Sequence, residues 1–195
     1  LYFSKNPRAT IERLSALYDR IKQKTDEQGI DPQEVEEIRS SFFRYHNGKW
    51  QAEEAFWKPT GLVLGYPFAE PIGSRFISFR SKILAELGLK PYQYWLPDED
   101  LLHMTIISYS HYSESGMNII LLPETEIPKA REIIGNYRPI KISFRGGLIT
   151  NNGSLLIKGF VEDEDLFLLR SELMAKIDGI TQQPQNLAHV KLAQI

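Results

Sequence analysis

The chain predicts an α+β fold of two pseudo-symmetric lobes, each an antiparallel sheet with outer helices, behind an N-terminal helical extension. Three observations carry this expectation. Residues 1–58 hold apolar side chains at helical spacing, in two segments broken by glycine and proline. From residue 59 to 195 short apolar runs alternate with single amphipathic helices. Two of these runs, one in each half of that region, interrupt their apolar sequence with a histidine: "LLHMTIISY" at 101–109 and "LAHVKLA" at 187–193.

In order along the chain, "PRATIERLSALYDRIKQK" places Ile11, Leu14, Leu17, Tyr18 and Ile21 on one helical face, with Asn6-Pro7 as its start and Gly29 as its stop. "DPQEVEEIRSSFFRYHNG" restarts with a capping box of Asp31 and Glu34, proline at the first helical position, and Gly48 as its end. "GLVLGYPF" reads as a strand, and "PIGSRFISFRSKILAELG" as a helix with Ile72, Phe76, Phe79, Ile83 and Leu87 on its apolar face. "YQYWLP" and "LLHMTIISYSHY" read as strands around the acidic turn "PDED". "NIILLP" is a further strand, and "EIPKAREIIGNY" a short helix. "IKISFRGGLIT" and "SLLIKGFV" form a hairpin through "NNG", and the same Asn-Gly-Ser tripeptide needs no glycan to explain it. "DEDLFLLRSELMAKIDG" is a helix and "NLAHVKLAQI" the closing strand.

The composition narrows the chemistry. With 195 residues and a net charge of −2, the chain can bury a core but has no global field for gripping long nucleic acids. It contains no cysteine, so disulfides, thiol catalysis and cysteine-held zinc are excluded. Histidines 46, 103, 111 and 189 do not form a metal-ligand cluster in sequence, and no metal or cofactor is expected. No apolar run is long enough to cross a bilayer. The chain begins at Leu1 with "LYFS", which resembles a tag-cleavage scar and is left out of the fold. The sequence marks no compartment, and the cytoplasm is favoured.

Alternate residues of a strand share a face, so His103 and Thr105 lie together, as do His189 and Lys191. A lone histidine in an apolar strand is more often a packed core residue than a reagent. Two such strands, one per lobe, could set two imidazoles facing each other across a cleft. Near neutral pH one could accept a proton from water while the other donates one to a leaving oxygen. The neighbouring hydroxyl or ammonium could hold a phosphate oxygen. Tyr109 and Tyr66 are the candidate surfaces for a nucleobase. His111 would lie about 26 Å beyond His103 along a strand and belongs to the surface. His46 reads as a helix-end histidine suited to the dipole. Arg145, beside Gly146-Gly147, could meet a phosphate but by default is an exposed hairpin residue.

"HMT" at His103–Thr105 resembles the first H-x-T/S motif of the 2H phosphoesterases, which include the RNA 2′,3′-cyclic phosphodiesterase (2′-5′ RNA ligase-like) proteins. "HVK" at His189–Lys191 resembles the second motif, with lysine where the family has threonine or serine. The resemblance spans roughly Thr60 to Ile195, leaving the two N-terminal helices as an addition. It implies a bilobal fold and metal-independent hydrolysis of 2′,3′-cyclic phosphodiesters at nucleotides or RNA ends, commonly leaving a 2′-phosphate. His103 and His189 would then be the proton-transfer pair, with Thr105 and Lys191 binding the substrate. The alternative is a catalytically impaired module that binds nucleotides or RNA ends, Lys191 being its support. No membrane partner is expected.

Overall fold

The computed structural model describes residues 7–52, 61–65, 68–108, 123–178, 180 and 187–195. It has an α+β architecture of five helices and two antiparallel sheets among those residues. The order is α1 (Pro7–Gln28), α2 (Pro32–Phe42), β1 (Phe43–His46), β2 (Lys49–Ala52), β3 (Gly61–Leu64), α3 (Ile72–Glu86), β4 (Met104–Ser108), α4 (Glu126–Gly135), β5 (Ile142–Ile149), β6 (Ser154–Val161), α5 (Asp165–Lys176) and β7 (Ala188–Gln194). Strands β1 and β2 form a hairpin; the other five run β3-β4-β7-β6-β5 across one sheet. Residues 118–122 of "NIILLP", the Asn6 cap and His111 lie outside the described residues.

Helix α1 forms as its periodicity predicts, and its apolar stripe joins the main core. Leu14 and Tyr18 are fully buried there beside Leu155, Phe160 and Ala188. The Tyr18 hydroxyl accepts the Gly159 N–H at 3.2 Å and donates to the Ala188 carbonyl, with the Gly159 carbonyl at 3.1 Å. Burial pushes its pKa up to about 12, so the phenol stays neutral. At the other end of α1, Thr10 and Arg13 both donate at 2.8 Å to Glu164, the buried residue that precedes α5. The N-terminal helix is thus built into the sheet's core.

Helix α2 begins as expected, with Asp31 accepting from the Gln33 and Glu34 amides. Its Glu34 carboxylate does not complete a capping box. It accepts instead from Asn151 Nδ2 at 2.8 Å, while the Asp31 N–H donates to the Asn151 carbonyl. The start of α2 is therefore fixed on the Asn-Asn-Gly turn between β5 and β6. The helix stops at Phe42, short of the expected Gly48, and the chain turns back at Asn47-Gly48 to pair β1 with β2. Positive φ angles at both residues, 50° and 80°, are those of a two-residue hairpin turn, which asparagine and glycine tolerate. His46 consequently sits on a strand rather than at a helix end. The expected strand "YQYWLP" is also absent. Pro91 opens a 3-10 turn, Pro91–Gln93, and only Trp95 makes a β-bridge, to Gln194.

Strand β6 is the best-buried strand, with only Lys158 half-buried along its length. Helix α3 covers one face of the sheet. A Cβ at Gly147, opposite Ile157, would come within 2.9 Å of the Phe79 ring. The opposite face is covered in part by α1, whose Tyr18 ring lies 5.5 Å from that of Phe160. Helix α5 brings Leu169 and Leu173 against Ile106 and Ile107 in a second apolar cluster. The β3-β4 and β7-β6-β5 portions of the sheet meet at one paired position, Met104 opposite Val190.

Candidate functional site

That single pairing is where the strands of the two histidine motifs meet. In an antiparallel ladder, each step forward on one strand is a step back on its neighbour. Met104 opposite Val190 is the pairing between these strands among the described residues, and its antiparallel sense puts His103 toward the Lys191 side and Thr105 toward the His189 side. All four side chains belong to the sheet face away from Met104 and Val190, since neighbours along a strand alternate. The two motifs lie on adjacent strands of one sheet, on the face away from Met104 and Val190.

The environments of the histidines differ. His103 is partly exposed, and its Nδ1 lies 2.7 Å from the Leu101 carbonyl. As a carbonyl only accepts, Nδ1 carries the proton, which fixes the tautomer and directs proton exchange to Nε2. On His189, Nδ1 is buried with no hydrogen-bond partner among the described residues. Burial lowers the pKa of His189 to about 4, helped by the nearby charges of Arg170 and Lys191. The ring is therefore neutral across the physiological range. Lys158 stands opposite His189 on β6 and adds another cationic side chain to the same face.

Lys191 does not wait with a free ammonium. Its Nζ donates to Gln194 Oε1 at 2.6 Å, and that oxygen also accepts from Ser154 Oγ at 2.9 Å. Burial brings the lysine's pKa down to about 8, leaving it largely charged at neutral pH. Thr105 is half-buried between the motifs. Tyr66 and Tyr109 lie outside the described residues. Arg145 places its guanidinium 4.3 Å from the centre of the Phe160 ring on the outer strands.

One residue that the motif reading passed over organises this surface. Arg170, 1% exposed, projects from α5 and donates at 2.8 Å to three carbonyls: Ile106, Thr105 and Leu187. It thereby ties the strand of the first motif to the residue that leads into the second. Burial lowers its pKa to about 10, so it remains a cation beside His189. The signal was present in "LFLLRSELM", where an arginine falls on the stripe of Leu166, Leu169 and Leu173.

Among the described residues, no group of three or more carboxylate or imidazole side chains is placed to hold a metal ion, and no helix is long and apolar enough to cross a membrane. Comparison with protein-family models, curated proteins and solved structures finds no match to this chain.

Proposed function

We propose that this chain hydrolyses 2′,3′-cyclic phosphodiesters of nucleotides or RNA ends without a metal, with His103 and His189 as the proton-transfer pair. The observation that supports the reading is the Met104–Val190 pairing, which makes the two histidine strands neighbours in one sheet. The resemblance of "HMT" and "HVK" to the 2H phosphoesterase motifs supports it, although the two expected sheets, one per lobe, are a single five-stranded sheet among the described residues.

The unequal environments favour a division of labour. His189, neutral and set among cations, is the base: Nε2 accepts a proton as water oxygen bonds to phosphorus. His103, oriented by the Leu101 carbonyl, is the acid: Nε2–H protonates the leaving 3′ oxygen as its bond to phosphorus breaks. The products are a 2′-phosphate and a 3′-hydroxyl. A bound phosphate anion would raise the proton affinity of His189 from its low resting value, making it a stronger base once substrate is in place. Thr105 and the Lys191 ammonium stabilise the non-bridging oxygens as charge builds on them.

A second reading is a binding module that has lost turnover. The engagement of Lys191 with Gln194 and the low proton affinity of His189 favour it. Turnover of 2′,3′-cyclic nucleotides in EDTA separates the two. Hydrolysis reduced about 100-fold or more by His103→Ala is the expected result for the enzyme. Tight binding without product establishes the module, and neither turnover nor binding refutes both.

A further inference from the structure

Helix α3 buries Phe76, Arg80 and Leu84, each a turn from the next along its inner stripe. The arginine is out of place in that row. It is 5% exposed, yet its Nε is buried with no hydrogen-bond partner among the described residues. Nη1 donates to the Pro97 carbonyl at 3.2 Å, and Nη2 faces the Glu99 carboxylate at 3.5 Å, the outer edge of hydrogen-bond reach. The Glu99 side chain is itself mostly exposed, so it regains water when its partner is removed. A buried guanidinium matched so sparsely recovers little of its desolvation cost, and an apolar side chain of similar length would pack there about as well. Arg170 is the contrast, with three carbonyls at 2.8 Å. Stability does not account for Arg80.

The segment it touches does. Pro97 and Glu99 lie in the stretch that delivers the first histidine motif. The Leu101 N–H donates to the Asp98 carbonyl at 2.9 Å and the Leu102 N–H to the Glu99 carbonyl at 3.3 Å, closing the 3-10 turn Glu99–Leu101. Such a short turn has poor hydrogen-bond geometry and holds its shape weakly alone. The Leu101 carbonyl that ends it lies 2.7 Å from His103 Nδ1 and selects the tautomer of the ring. The direction of one carbonyl, set by this turn, decides which imidazole nitrogen is left to exchange a proton.

We infer that Arg80 is a positioning residue for His103. It pins the Pro97–Leu101 segment to α3 and so keeps the Leu101 carbonyl aimed at Nδ1, touching no reacting atom itself. Its effect on the ring stands on this geometry; its effect on turnover rests on the proposed function.

The test uses the full chain labelled with nitrogen-15, with His103→Gln to identify the His103 ring signals. At about pH 8.5, where an ordinary imidazole is neutral, the wild type should show the Nδ1–H tautomer alone. Arg80→Met removes the donors and keeps the stem. It should show both tautomers in exchange, with a melting temperature within about 5 °C of the wild type. Arg80→Lys, whose ammonium can reach the Pro97 carbonyl, should return the single tautomer. On 2′,3′-cyclic nucleotides Arg80→Met should lower kcat by about 10–100-fold and leave KM nearly unchanged. A single tautomer retained in Arg80→Met overturns the inference. So does a larger drop in melting temperature or failure to fold, which would make Arg80 a residue of stability. Mixed tautomers in Arg80→Met with no turnover by the wild type uphold the positioning and defeat the catalytic reading. Turnover by the wild type that Arg80→Met leaves unchanged defeats the positioning role and leaves the catalytic reading standing.

Discussion

Protonation of His189 should set the acid limit of this fold. Its ring has a pKa of about 4 in the native chain, against about 6.5 for an exposed imidazole. The unfolded chain therefore takes up a proton, as pH falls from about 6.5 toward 4, that the native chain refuses. Native stability is intact above the unfolded value and declines across this window. Between about pH 7.5 and pH 4.5 the loss from this one group amounts to roughly 2.5 kcal/mol. A His189→Gln variant lacks the titration and shares every other ionisable group. Urea unfolding of both proteins at the two pH values isolates the difference, since contributions from carboxylates cancel. The wild type should lose roughly 2.5 kcal/mol more than the variant on acidification. A difference below about 0.5 kcal/mol, or an NMR titration of His189 near its ordinary value, would refute the claim that burial and its cationic neighbours hold the ring neutral.

Three further outcomes follow from the packing. Arg170→Met should cost about 3–5 kcal/mol in urea unfolding, because three carbonyls lose their donor inside the core, and Arg170→Lys should not restore the full set. Tyr18→Phe should cost about 1–3 kcal/mol and lower the melting temperature, since the Gly159 N–H loses its acceptor and the Ala188 carbonyl its donor. Gly159→Ala should destabilise by about 1–3 kcal/mol, as the added Cβ would lie 2.7 Å from the Ala188 carbonyl oxygen; a neutral result in the same assay would count against the tight approach of β6 and β7.

Much of this architecture was legible because local signals agreed with tertiary demands. The stripe of Leu14 and Tyr18 is periodic, and the same two residues are buried. Asn151-Asn152-Gly153 specified a hairpin, and the turn also anchors α2. The β1–β2 hairpin was missed because the apolar period of Val35, Ile38 and Phe42 runs on into Tyr45, while the turn signal at Asn47-Gly48 was read as a helix stop. "YQYWLP" has the aromatic content of a strand, but the backbone preference of Pro91 prevailed. For the candidate site, parity within each strand gave the pairs His103–Thr105 and His189–Lys191. Their juxtaposition depends on which strands adjoin, a long-range fact that no local pattern encodes. Lys191's attachment to Gln194 and the buried Nδ1 of His189 are likewise products of packing.

Because Arg170 grips the backbone on both sides of the β4–β7 junction, α5 acts as a gauge block that sets the gap between the motifs. Substitutions that shift this helix would change the spacing of the two histidine strands from a distance, leaving both motifs in the sequence untouched.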